Sequence, residues 1–157
     1  ILDTPAEVVD DVGARPVGAF TEAVRFEQVG FHYQAGEPVL QDVDLEIRAG
    51  EVVALVGPSG AGKSTLADLL PRFHDPVSGR ITLDGVDIRQ IRLADLRGLM
   101  GIVTQDTILF HDTIRANIAY GRDGATQEEI EAAASAAHAH RFIMEFPKGY
   151  DTVVGER

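Results

Sequence analysis

Between the apolar run EVVALV (51–56) and a helix-spaced set of apolar residues, Leu66, Leu69, Leu70 and Phe73, stands the stretch GPSGAGKSTL. Gly57-x-x-x-x-Gly62-Lys63-Ser64 satisfies the Walker A pattern in full. Glycines let the backbone curl so that successive N–H groups face an anion. Lys63 adds a mobile positive charge for the β- and γ-phosphates, and the Ser64 hydroxyl is placed to ligate Mg²⁺. A helix starting at this point turns its positive end toward the same phosphates. A glycine-rich turn holding Lys-Ser by chance would lack the apolar run before it and the helical pattern after it. The candidate phosphate site is therefore Gly57, Pro58, Ser59, Gly60, Ala61, Gly62, Lys63, Ser64 and Thr65. Segment 51–56 is predicted to be a fully buried parallel strand.

The rest of the chain alternates strand and helix patterns, which predicts an α/β domain. VRFEQVGFHY and VLQDVDLEI read as strands, GRITLDG as a strand and turn, and GIVTQ as a second buried strand. LADLRGLM reads as a short helix, and Pro71 ends or kinks the helix after the loop because it lacks a backbone donor. Thr126 and Glu129 have capping-box spacing, with Ile130, Ala133, Ala134 and Ala137 on the face that follows. The first twenty residues, rich in Pro, Gly and acids, suit a linker. No internal repeat is present.

Composition removes several classes of function. A net charge of −11 with only two lysines, Lys63 and Lys148, argues against nucleic acid as the main partner. The absence of cysteine excludes disulfides and thiolate chemistry. No run is long and apolar enough for a membrane helix, and no secretory signal opens the chain. Beginning at Ile1, the sequence reads as a piece of something longer. None of the histidines, His32, His74, His111, His138 and His140, has metal-ligand spacing, so all read as structural or exposed. Glu128, Glu129 and Glu131 read as a solvated helix face. The loop alone leaves kinases, GTPases and motor ATPases open, but neither lysine supplies the Asn-Lys-x-Asp motif of a GTPase.

Several segments in order resemble the nucleotide-binding domain of exporter-type ABC transporters. VRFEQVGFHY followed by VLQDVDLEIRAGEVVALVGPSGAGKSTL matches its opening. RFHDPVSGRITLDGVDIR is similar to the segment after the first helix, with His74 where tyrosine is common. LRGLMGIVTQDTILFHDTIRANIAYG resembles the Q-loop region, and FPKGYDTVVGER the X-loop. The resemblance implies a P-loop NTPase fold of ABC ATPase type with an antiparallel β subdomain. It places a connector from a transmembrane domain at 1–22 and the N-terminal part of the ATPase domain at 23–157. The core would run to about 105 and the helical subdomain would start at 106–157.

By the same resemblance Tyr33 is the aromatic that stacks on adenine, although without it Phe31 and Tyr33 read first as a half-buried strand face. Gln105 would ligate Mg²⁺ and help hold the attacking water, where unaided reading sees a polar cap on a strand. Ser59 would donate to the γ-phosphate, and Glu156 and Arg157 would face the membrane domains. ATP and Mg²⁺ are the implied cofactors, and Lys63 and Gln105 the implied catalytic residues. The implied partners are a transmembrane domain of the same or a partner chain and a second nucleotide-binding domain, at the cytoplasmic face of a membrane.

The chain stops before the Leu-Ser-Gly-Gly-Gln signature and the Walker B carboxylates expected from the resemblance. The expectation is thus an ATP-binding portion of an exporter that does not hydrolyse ATP alone and leaves apolar edges exposed. The alternatives are a non-catalytic ATP-binding dimerisation module and a soluble ABC protein.

Overall fold

The structure is a computed structural model and describes residues 8–104, 108–122 and 124–155. The chain forms two compact units, Ile1–Ile102 and Val103–Arg157.

In the first unit, β1 (Ala23–Phe31), β2 (Leu40–Arg48), β3 (Ser78–Leu83) and β4 (Val86–Asp87) form one antiparallel sheet in the order β2-β1-β3-β4. Helix α1 (Lys63–Leu69) follows the glycine loop, and α2 (Leu93–Gly98) closes the unit after a 3-10 turn at Ile88–Gln90. The central strand β1 carries an irregularity where Gln28 takes φ 48°. Its effect is visible in burial: Val24 and Phe26 face the core, and Val29 and Phe31 do so too, one residue out of phase. An extra residue in one strand makes that phase change. The Gln28 amide donates to Asp44 Oδ1 at 2.8 Å.

Leu66 and Leu69 of α1 join these residues, with Leu40, Ile81, Leu83, Ile88, Ile91 and Leu96, in a single core. Fully buried aliphatic side chains contribute about 1.5–3 kcal/mol each, against about 0–1 kcal/mol for an exposed ion pair. Apolar burial therefore holds this unit, and its surface ion pairs trim it. Helix α1 ends at Leu69, two residues before Pro71. The segment before β1 is more than a linker. Asp10 Oδ1 accepts from the Leu93 amide at 2.7 Å, and Arg15 makes a parallel bridge to Ile91.

Two expectations fail. Segment 51–56 forms no strand, and Val52 and Val56 are fully or almost fully exposed. Residues 101–104 of GIVTQ are likewise outside any strand, with Val103 exposed. A strand exists only as part of a ladder, and no described segment pairs with either run. Apolar composition selects the strand but does not supply its neighbour.

In the second unit, β5 (Asp112–Thr113) pairs antiparallel with β6 (Val153–Val154). Helices α3 (Ile114–Ala119), α4 (Gln127–Ala136) and α5 (His140–Met144) surround a small core of Ile130, Ala134, Ile143 and Tyr150. The capping box on α4 forms as expected: Glu129 N donates to Thr126 Oγ1, and Thr126 N donates to Glu129 Oε2. Glu129 is thus a capping residue, not only a solvated charge. Of the predicted α4 face, Ile130 and Ala134 are buried while Ala133 and Ala137 are exposed. His140 Nδ1 and the Tyr150 hydroxyl are 2.8 Å apart, a structural contact.

Asp84, at φ 49° in the β3–β4 turn, anchors the start of β1. Its carboxylate accepts from the amides of Thr21, Glu22 and Ala23 and from the Thr21 hydroxyl, at 2.8–3.0 Å. Burial pushes its pKa up, but the hydrogen bonds from Glu22, Thr21 and Ala23 outweigh it and hold the group below the usual carboxylate range. A depressed native pKa stabilises the fold above the unfolded-chain value near about 4. That stabilisation fades as pH falls through the lower native value. Asp84→Asn, which tolerates the same φ, is expected to cost about 1–2 kcal/mol at neutral pH in urea denaturation. The gap from wild type should narrow on acidification, and a gap independent of pH would contradict the charge-based account.

Candidate functional site

The loop 57–62 makes its turn with Gly60 and Gly62 both at φ +80°. Gly62 is the left-handed N-cap of α1 and has no side chain with which to cap it. The first intrahelical bond runs from the Leu66 amide to the Gly62 carbonyl at 2.8 Å. The amides of Lys63, Ser64 and Thr65 are therefore without intrahelical acceptors, as in the first turn of any helix. They lie beside a cavity of about 340 Å³ lined by Val39 and Ser59–Thr65. A β-carbon on Gly62 would come within 2.8 Å of Leu40 Cδ2 and 3.1 Å of the Val39 carbonyl. The loop is thus seated directly on the start of β2.

Lys63 turns back over the loop, its Nζ donating to the carbonyls of Gly57 at 2.9 Å and Pro58 at 2.7 Å. Among the described residues it pairs with no carboxylate, so its charge is countered only by carbonyl dipoles. Ser64 is exposed at the cavity. Its single hydroxyl suits Mg²⁺, which uses one or two protein oxygens and takes the rest from phosphate and water. Among the described residues no cluster of three or more His, Asp or Glu could hold a metal by itself.

A second cavity, of about 320 Å³, lies in the same unit and is lined by Val8, Phe31, His32, Tyr33, His74 and Asp75. Tyr33 is 57% exposed, with its hydroxyl 3.1 Å from Thr65 Oγ1. That contact joins the aromatic residue after β1 to the first turn of α1. The structure therefore brings Tyr33 and the loop residues 57–65 together in one unit. Gln105, Glu156 and Arg157 lie outside the described residues. His74 and Asp75 went unremarked as pocket residues in the sequence, because a turn after a helix has no periodicity to show where its side chains go.

Residues 40–153 match the family described as ABC transporter. The chain is 51% identical over 156 residues to an ATP-dependent lipid A-core flippase of Desulfotalea psychrophila, covering 99% of this chain and 27% of that protein. It is 50% identical over 157 residues to an ATM1-type heavy metal exporter of Novosphingobium aromaticivorans, covering 26% of it. The structure of a bacterial Atm1-family ABC exporter with ATP bound matches 99% of the chain at a TM-score of 0.93 and 50% identity. The chain covers 27% of that structure. It spans about a quarter of the length of these relatives.

The two left-handed glycines should respond differently to substitution. Gly60→Ala adds only the strain of φ > 0, about 1–2 kcal/mol, because nothing lies within 4 Å of its added carbon. Gly62→Ala adds the clash with Leu40 and Val39 and is expected to lower the urea midpoint further. Equal midpoints would show that the loop is not seated on β2 as described.

Proposed function

The chain belongs to the ABC transporter family, and from that premise we propose that it is the ATP-binding part of an exporter that couples ATP binding and hydrolysis to movement of a substrate across a membrane. The observation that carries the reading is the loop: the open first-turn amides and Lys63, whose ammonium has only carbonyl partners among the described residues, line one cavity. In a chain of net charge −11, a cation with no carboxylate partner among the described residues is the feature that selects a polyanion.

On this reading the amides of residues 60–65 cradle the phosphates, and Lys63 exchanges its loop carbonyls for β- and γ-phosphate oxygens. Ser59 donates to the γ-phosphate, and Ser64 and Gln105 are the protein ligands of Mg²⁺. When bound with the nucleotide, the ion neutralises phosphate charge. Tyr33 stacks on adenine. Gln105 also helps hold the attacking water, and with Glu156 and Arg157 carries the nucleotide state to the membrane domain. Residues 1–22 are the connector from that domain, and a second nucleotide-binding domain completes the site at the cytoplasmic face of the membrane.

The second unit supports a membrane-domain partner. Leu109, Ile114, Phe142 and Phe146 line an apolar cavity of about 370 Å³, and Phe142 is 59% exposed. Among the described residues no helix is long and apolar enough to cross a membrane. The proposed occupant of this cavity is a segment of the transmembrane domain.

Lys63→Ala is expected to leave the fold intact and to weaken ATP binding by about a hundredfold or more, since it removes charge-assisted contacts to phosphate. Unchanged affinity by calorimetry would overturn the assignment. In the full-length protein, Phe142→Asp is expected to leave ATP affinity at the wild-type value while abolishing stimulation of ATP hydrolysis by transport substrate. Undiminished stimulation would rule out this cavity as the membrane-domain contact.

A further inference from the structure

Stacking on an exposed aromatic requires that its plane be held, because a loop side chain otherwise samples several staggered rotamers. Tyr33 lies past the end of β1, where no ladder restrains it. Its hydroxyl is fixed by Thr65, but a hydroxyl contact leaves rotation about the ring axis open. Two rings meet Tyr33 edge-on: Phe31 at 4.9 Å between centroids and His74 at 5.5 Å, each at 89°. Phe31 is buried in the sheet. His74 arrives from the turn after α1 and contacts Phe31 as well, at 5.5 Å and 39°.

That turn is held firmly. Arg72, 2% exposed and at φ 53°, clamps Asp75 with bonds of 2.8 and 2.9 Å. Arg97 in turn donates to the carbonyls of Pro71 and Arg72 at 2.9 and 2.8 Å. The imidazole between Arg72 and Asp75 is thus carried by a rigid support, and the cavity of about 320 Å³ opens against it. Such a volume is at the small end of ligand sites, about 300–1,000 Å³.

We propose that His74 is a positioning residue for base binding: its ring completes an aromatic triad with Phe31 and Tyr33 that fixes the Tyr33 plane for a purine. The inference rests on the reading of this unit as an ATP site and deepens it by separating recognition of the base from recognition of the phosphates. No residue lines both cavities, which are joined by the Tyr33–Thr65 contact and by the Val39 amide donating to the Phe31 carbonyl, and His74 lines only one of them. A change at His74 therefore acts on the base end of the ligand.

The test is calorimetry on the full chain with ATP and with inorganic tripolyphosphate, for wild type, His74→Ala and His74→Phe. Losing one edge-to-face aromatic contact should weaken ATP about three- to tenfold and leave tripolyphosphate unchanged. His74→Phe, which keeps a ring, should restore ATP affinity to within about twofold of wild type. Equal weakening of both ligands would show that His74 supports the fold and not the base pocket. Unaltered ATP affinity in His74→Ala, or no rescue by His74→Phe, would also overturn the proposal. Wild type binding both ligands equally would remove the base pocket and spare the phosphate reading. Wild type binding neither would remove both.

Discussion

The close approach of Gly62 to Val39 and Leu40 is the constraint around which the first unit is arranged. A residue with a side chain at φ +80° would be strained and would press on the start of β2. With glycine there, the loop meets the sheet at backbone distance and α1 begins where its open amides face a cavity. Helix α1 then sends Leu66 and Leu69 into the core and offers Thr65 to Tyr33. The cavity at the loop and the cavity at Tyr33 are linked where Thr65 of this short helix meets the Tyr33 hydroxyl.

Electrostatics at this site depend on a scarcity of cations. Lys63 stands in a strongly acidic chain, yet its ammonium is satisfied by carbonyl oxygens of its own loop. Carbonyl dipoles are weaker partners than a carboxylate, so exchanging them for phosphate oxygens is favourable where breaking an ion pair would not be. The arginines are used differently. Arg72 and Arg97 brace the turn after α1 through Asp75 and backbone carbonyls, which makes them scaffold for the cavity beside Tyr33 and His74.

The behaviour of 51–56 and 101–104 shows the limit of local pattern. Both runs have the composition of buried parallel strands, and both are exposed and unpaired among the described residues. Burial on two faces and hydrogen bonding on two edges are properties of neighbours, not of the run itself. In the antiparallel sheet β1 pairs with β2 and β3 with β4 across short connections, as at Asp84-Gly85, whereas β1 and β3 come together from distant parts of the chain. One departure in that sheet, the phase change at Gln28, is likewise a tertiary matter, since it lets both ends of β1 face the same core.

The amino-acid sequence by itself determined the phosphate loop, the β1, β2 and β3 strands, the α4 cap and the family, because each rests on local spacing or on residue types with one physical use. Glycine at Gly62 and the Thr126–Glu129 pair are of this kind: their conformations follow from their own chemistry. Only the tertiary structure decided that the loop rests on β2, that Tyr33 is tied to Thr65, and that His74 stands against two aromatic rings. These contacts join residues from separate elements. Distance in space between such residues is set by packing, and no periodicity along the chain encodes it.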